Sequence, residues 1–316
     1  MAKYCVFGGA GFIGQHVVNK LRVQGHEVII VGNSRRNDAQ HYDWSSLDYI
    51  DLKRILKGVE GVINLAYSST PKTSFDDPIA DIRDNLPFAI NFFEWMGQFP
   101  ISRIVMVSTG GAIYGNTNEN PTSELAETNP ISPYGITKLA VEKYAHMYFK
   151  HKGLPVISVR PGNAYGIGQT PFSGQGFIAT ATYSILENKA ISIFGKEGTI
   201  RDYIHVEDVA EGIIAALYAG KPGEVYNIGT GIGTSNKTIL DYLFKMALGD
   251  GFMLPEVYYK ELRPFDVLEN VLDTTKLTNH SGWRPKIDLS DGVQEYWNHA
   301  MAKVSNSSLN KVQWEC

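Results

Sequence analysis

The sequence predicts an α/β chain: a doubly wound parallel sheet joined to a smaller C-terminal α/β region. Three observations carry this. Short apolar runs bounded by turn residues alternate with helical patterns through the first half, as in βαβ winding. A glycine-rich turn sits between the first apolar run and the first helix. Past Arg160 the texture changes to a glycine-rich loop followed by shorter helix and strand pieces.

The elements follow in order. KYCVFGG, HEVIIVG, GVINLA, ISRIVMVS and LPVISVRPG read as strands, and their apolar character on both faces suits a buried parallel sheet. HVVNKLRVQG, LPFAINFFEWMGQ and YGITKLAVEKYAHMYFKHKG read as the helices between them. EVYNIGTG, near 224–231, reads as one more sheet strand, so the two regions interleave in sequence. The expected division is 1–164 with 204–230 for the domain built on the parallel sheet, and 165–203 with 231–303 for the smaller region. The polar stretch 304–316 is expected to be a loosely held tail.

Composition excludes several classes. Of 316 residues, 43% are hydrophobic and 20% charged, ordinary for a globular protein. A net charge of −4 gives no footprint for nucleic acid or an anionic membrane. No apolar run approaches the length of a membrane span. The strand at the very start predicts that no signal peptide precedes it, and Cys5 and Cys316 make no disulfide framework. A reduced, cytoplasmic protein is expected, with no metal site.

YCVFGGAGFIG places Gly8, Gly11 and Gly14 where a strand turns into a helix. Glycines there allow a tight turn and let backbone N–H groups approach a pyrophosphate at a helix N-terminus. With a second strand at the βαβ distance, this predicts a Rossmann-type dinucleotide site. Asp51 and Asn85 fit an adenine-nucleotide cradle. The stretch VGNSRRND then raises the choice of cofactor. Gly32 stands where an acid would bind both ribose hydroxyls and repel a 2′-phosphate, while Arg35 and Arg36 follow. This favours NADP over NAD; the alternative is that Asn33 or Ser34 binds the ribose of NAD and the arginines lie in solvent.

Tyr134 and Lys138 lie four apart in SPYGITK and therefore on one helix face. An ammonium beside a phenol would lower the tyrosine pKa toward a range where it exchanges protons. Upstream, MVSTGGAIYG ends a strand in Ser108 and Thr109, whose hydroxyls could share a proton with a substrate oxygen. A nucleotide loop, a strand-end hydroxyl and Tyr-x3-Lys together describe a hydride-transfer site.

With these pieces the sequence resembles the extended short-chain dehydrogenases/reductases, specifically the nucleoside-diphosphate-sugar epimerases. The matching segments are GGAGFIG, STGGAIYG, SPYGITK, RPGNAYG, RDYIHVEDVA, YNIGTG, RPFDV and GWRP, in the family's order. The resemblance implies Tyr134 as acid/base, with Lys138 binding the nicotinamide ribose and tuning Tyr134. It implies cofactor contacts from Phe12, Ile13, Leu52, Leu65, Ala66 and Pro161. Arg201 and Arg263 would clamp the substrate diphosphate, Asp266 would hold the nucleoside ribose, and Asn163 and Phe177 would line the substrate side. A homodimer is also implied. Reading the residues alone, Arg201 could instead pair with its neighbour Asp202.

The sequence departs from the family at Phe7, where a threonine is usual, and at Gly110, where the catalytic hydroxyl is usual. Thr109 is expected to substitute, ahead of Ser108. Without an acidic pair after Thr109, dehydration of the sugar is not expected. The expected reaction is C4 epimerisation of a nucleotide sugar, a UDP-hexose, through a 4-keto intermediate. The alternative is NADPH-dependent 4-reduction of a nucleotide 4-keto-6-deoxysugar. A non-catalytic nucleotide sensor would more naturally lack the Tyr-Lys pair.

Overall fold

The computed structural model describes residues 1–32, 41–43, 47–263 and 266–312, with side chains to 305. Its strands are β1 (Lys3–Phe7), β2 (Glu27–Gly32), β3 (His41–Asp43), β4 (Gly61–Asn64), β5 (Arg103–Val107), β6 (Val156–Pro161), β7 (Asn163–Tyr165), β8 (Ile191–Phe194), β9 (Ile200–His205), β10 (Val225–Ile228), β11 (Gly233–Ser235), β12 (Val257–Lys260) and β13 (Glu269–Asn270). Its helices are α1 (Phe12–Val23), α2 (Tyr49–Ile55), α3 (Pro71–Asp76), α4 (Pro78–Met96), α5 (Gly110–Ile113), α6 (Pro133–Lys152), α7 (Phe177–Leu186), α8 (Val206–Ala219), α9 (Asn236–Gly249), α10 (Thr275–Ser281) and α11 (Leu289–Val312).

Seven strands form one parallel sheet in the order β10-β6-β5-β4-β1-β2-β3. Successive side chains point to opposite faces, so each strand feeds two cores. Tyr4 and Val6 of β1 face α1 and α8, packing with Val17, Leu21, Val209 and Ile213. Cys5 and Phe7 face α2, α4 and α6, packing with Leu52, Phe92, Met96 and Val141. The strand order reverses between β1 and β4, the place where an open α/β sheet leaves a crevice at its carboxyl edge.

The smaller region holds a sheet of β11, β9, β13 and β7, and a separate β8–β12 pair, all against α7, α9 and α11. Buried Asp202 ties the two regions together, accepting from Thr230 N and Oγ1, Gly231 N and Leu272 N. The predicted strand at 224–231 is β10, which pairs with β6.

Two expectations change. The fourth helix starts at Pro78 rather than near Leu86, because Asp77 caps it and Pro78 presets its first turn, leaving Pro87 inside the helix. The segment expected as a loose tail is helical through Val312, a continuation of α11. Once a helix is nucleated, each added residue gains a hydrogen bond at small cost. Among the described residues no helix is long and apolar enough to cross a membrane.

Candidate active site

The loop after β1 is shaped by close backbone contact. Gly8 adopts φ +75°, and a Cβ on Gly14 would lie 2.1 Å from the Gly8 carbonyl oxygen. Only glycine lets α1 begin this tightly against the turn. Gly11 caps α1 without a side-chain hydrogen bond, and the first turn carries no acid. The N-terminus of α1 therefore presents its N–H groups and partial positive charge to the cleft, which fits a pyrophosphate.

That cleft measures about 980 Å³ and spans both regions, large enough for extended ligands. Of the predicted cofactor contacts, Gly8, Gly11, Phe12, Ile13, Gly14, Leu65 and Pro161 line it, as do Tyr134 and Lys138. Four others lie back from its wall. Leu52 is buried in the core. Asp51 sits in the first turn of α2, paired with Arg54 at 2.9 Å. Ala66 acts through its backbone, pressed against Gly8. Asn85 braces the loop after β4, its Oδ1 accepting from Ser68 N at 2.9 Å. Asn33, Ser34, Arg35 and Arg36 lie outside the described residues.

Helix α6 starts with Ser132 as its cap and Pro133 in the first position, which fixes Tyr134 at the helix entry. The Tyr134 backbone N–H donates to Ser74 Oγ at 3.1 Å. Burial pushes its phenol up to about 12; a hydrogen bond with Thr109 opposes this, and Asp81 adds to it. Lys138 is buried, and that burial pushes it down to about 7 against the pull of Glu142 and Asp81. Its Nζ donates to the Val107 carbonyl at 3.0 Å and lies 3.9 Å from the centroid of the Tyr67 ring, against 5.7 Å for Tyr134. The expected lowering of the tyrosine by the lysine is therefore corrected for this arrangement. The ammonium faces a carbonyl and another ring, and desolvation governs both groups.

The two strand-end hydroxyls separate. Thr109 lines the cleft with Tyr134 and lowers the pKa of its phenol. Ser108 Oγ is buried without a hydrogen-bond partner among the described residues, facing a cavity of about 10 Å³ beside Lys138. Packing explains Gly110: a Cβ there would lie 2.5 Å from Leu272 Cδ1 and 2.9 Å from the Arg160 carbonyl oxygen. A serine does not fit at that position without displacement.

On the substrate side, Asn163, Phe177, Arg201, Arg263 and Asp266 all line the cleft. Arg201 does not pair with Asp202, because neighbours along β9 point to opposite faces. Its Nη1 donates to the Ile200 carbonyl at 2.9 Å, and among the described residues it has no ion pair. Burial lowers its pKa, a sign of a cation short of solvent. Arg263 stacks 4.5 Å over Phe194 and grips Asp266 through two bonds of 2.8 and 2.7 Å. Asp266, expected on a ribose, is thus engaged by Arg263 here. Sequence reasoning missed Phe194, Tyr67 and Asp81. A tyrosine just beyond β4, at the reversal of strand order, was a readable signal for the second.

Residues 4–229 match the model of the NAD-dependent epimerase/dehydratase family. The chain is similar to the UDP-glucose 4-epimerase of Thermotoga maritima, solved with UDP-glucose: 34% identity, TM-score 0.88, covering 96% of this chain and 99% of that one. It is similar to the Thermus thermophilus UDP-glucose 4-epimerase solved with NAD: 32% identity, TM-score 0.82, covering 94% and 98%. A dTDP-4-dehydro-6-deoxyglucose reductase of Escherichia coli is 25% identical over 305 residues, 92% of this chain and 95% of that protein.

Proposed function

The chain belongs to the NAD-dependent epimerase/dehydratase family, and from that premise we propose that it is a nucleoside-diphosphate-sugar 4-epimerase acting on a UDP-hexose. The carrying observation is the continuous cleft, which joins the α1 anion site, the Tyr134–Thr109 pair and Arg201, a cation with no ion pair among the described residues.

The chain's residues divide the work. The turn at Gly8, Gly11 and Gly14 holds the pyrophosphate of a nicotinamide dinucleotide. When bound, the nicotinamide supplies a reversible hydride acceptor and a positive ring charge. Tyr134 takes the proton of the sugar C4 hydroxyl and returns it after the 4-keto sugar has turned. Thr109 shares that proton, and Lys138 favours the phenolate once its ammonium is engaged beside it. Arg201 and Arg263 hold the diphosphate, which suits planar guanidinium donors. The glycine-rich loop 162–176 leaves the hexose room to rotate. The reading includes a cytoplasmic homodimer.

For the dinucleotide we favour NADP, because Gly32 offers no carboxylate against a 2′-phosphate and Arg35 and Arg36 follow it. The Thermus relative's NAD is the observation on the other side. The same arginines, with the Escherichia coli relative, support 4-reduction as the second reading.

Purified protein, given no dinucleotide, is expected to interconvert UDP-glucose and UDP-galactose and to release NADP on denaturation, read by mass spectrometry. Inactivity on both sugars, with NADPH oxidation by a nucleotide 4-keto-6-deoxysugar, would replace epimerase by reductase. Released NAD would assign the ribose to Asn33 or Ser34.

A further inference from the structure

Lys138 reaches its place across the face of an aromatic ring supplied from outside its own helix. The Tyr67 ring lies 3.9 Å from Lys138 Nζ and meets the Tyr134 ring edge to face, at 5.2 Å and 84°. A cation over an aromatic face is attracted to the ring's negative centre, more so when water is excluded.

Tyr67 is itself moored. Its hydroxyl donates to Asp81 Oδ1 at 3.2 Å, and Asp81 is a carboxylate of α4 only 1% exposed. Thr137, the residue before Lys138, donates to Asp81 Oδ2 at 2.6 Å, and Ser69 donates to Oδ1. Hydroxyl donors satisfy this buried anion, and among the described residues no cation pairs with it. Burial and Asp81 raise the Tyr67 phenol well above its ordinary range, so it stays a neutral donor. The groups facing Lys138 are Tyr134 and Glu142 along α6, Asp81 from α4, Tyr67 from the loop after β4, the Val107 carbonyl, and Ser108.

We propose that Tyr67 is a positioning residue of this site, its ring carrying the Lys138 ammonium on a strut built from Asp81 and Thr137. The proposal rests on the reading of Tyr134 and Lys138 as the catalytic pair. It explains why the buried Asp81 carboxylate gathers the Tyr67, Ser69 and Thr137 hydroxyls and the Asn85 amide beneath the helix that carries Lys138. The strut holds the lysine between the Tyr67 and Tyr134 rings and opposes the loss of charge that burial imposes.

The test uses the purified enzyme with the dinucleotide it retains. Tyr67→Leu is expected to lower kcat about tenfold, with KM for UDP-hexose within about twofold of wild type. Tyr67→Phe, which keeps the ring, is expected to stay within about threefold of wild type in kcat. A second readout needs no turnover. In protein labelled with 13C at lysine Cε, the Lys138 signal is identified by its loss in Lys138→Arg and followed against pH. Tyr67→Leu and Asp81→Asn each remove a group that favours the charged form, so the Lys138 midpoint is expected to move to lower pH in both.

Wild-type kcat in Tyr67→Leu, or one midpoint shared by wild type, Tyr67→Leu and Asp81→Asn, would overturn the proposal. Should Tyr67→Leu fail to fold, the Asp81→Asn midpoint decides. Should wild type leave UDP-hexoses untouched, the epimerase reading falls while the titration still decides the role of Tyr67.

Discussion

Tyr134→Phe is expected to reduce kcat by about 10²- to 10⁴-fold while leaving nucleotide-sugar binding near wild type. The substitution removes one oxygen and keeps the ring, so the edge-to-face contact with Tyr67 and the helix entry at Ser132 survive. What is lost is the phenol oxygen beside Thr109. The phenol, pushed up to about 12 by burial, holds its proton firmly in this arrangement. It therefore needs positive charge brought beside it before it can act as a base. Steady-state kinetics and calorimetry with UDP check the two halves, and unchanged turnover would remove Tyr134 from the chemistry.

The second large effect is on stability. Glu142 and Arg160, each with a side chain 5% exposed, form a two-bond pair at 3.0 and 2.6 Å between α6 and β6. Arg160 continues to the Tyr114 hydroxyl at 2.8 Å, and Tyr114 to Asn227 Oδ1 at 2.7 Å. This run of bonds locks α6 to β10 at the far edge of the sheet. Glu142→Ala leaves the guanidinium buried and uncompensated, which is expected to cost about 3–5 kcal/mol and to lower Tm by roughly 10 °C. Replacing both partners, as in Glu142→Leu with Arg160→Met, is expected to recover much of that loss, because the penalty comes from the orphaned charge. Thermal unfolding of the three proteins measures this; equal Tm in wild type and Glu142→Ala would show that the pair carries little.

The legible parts of the molecule were the local ones. Val28–Val31 and Ile104–Val107 announce buried strands by composition, and the 3.6-residue period sets Tyr134 beside Lys138. The glycines of the first turn announce an anion site by position. The pairing of Arg201 with Asp202 stayed open in the sequence, and only the placement of both on β9 separates them. What stayed hidden depends on packing across long sequence separations. Glu142 meets Arg160, and Tyr67 meets Lys138, only once α4, α6 and the sheet have assembled. The direction of the Lys138 ammonium follows from that assembly, so helical spacing found the Tyr134 ring at 5.7 Å but not the nearer Tyr67 ring at 3.9 Å. Gly110 read as a missing hydroxyl; Leu272 above it shows a position closed to any side chain.

In the proposed reaction, Tyr134 and a retained dinucleotide invert C4 through a 4-keto sugar. UDP-glucose carrying deuterium at C4, incubated with the enzyme in ordinary water and followed by NMR, tests it most directly. The expected product is UDP-galactose with the deuterium still on C4 and no exchange with solvent. Product that has lost the label to water, or no epimer at all, would contradict it.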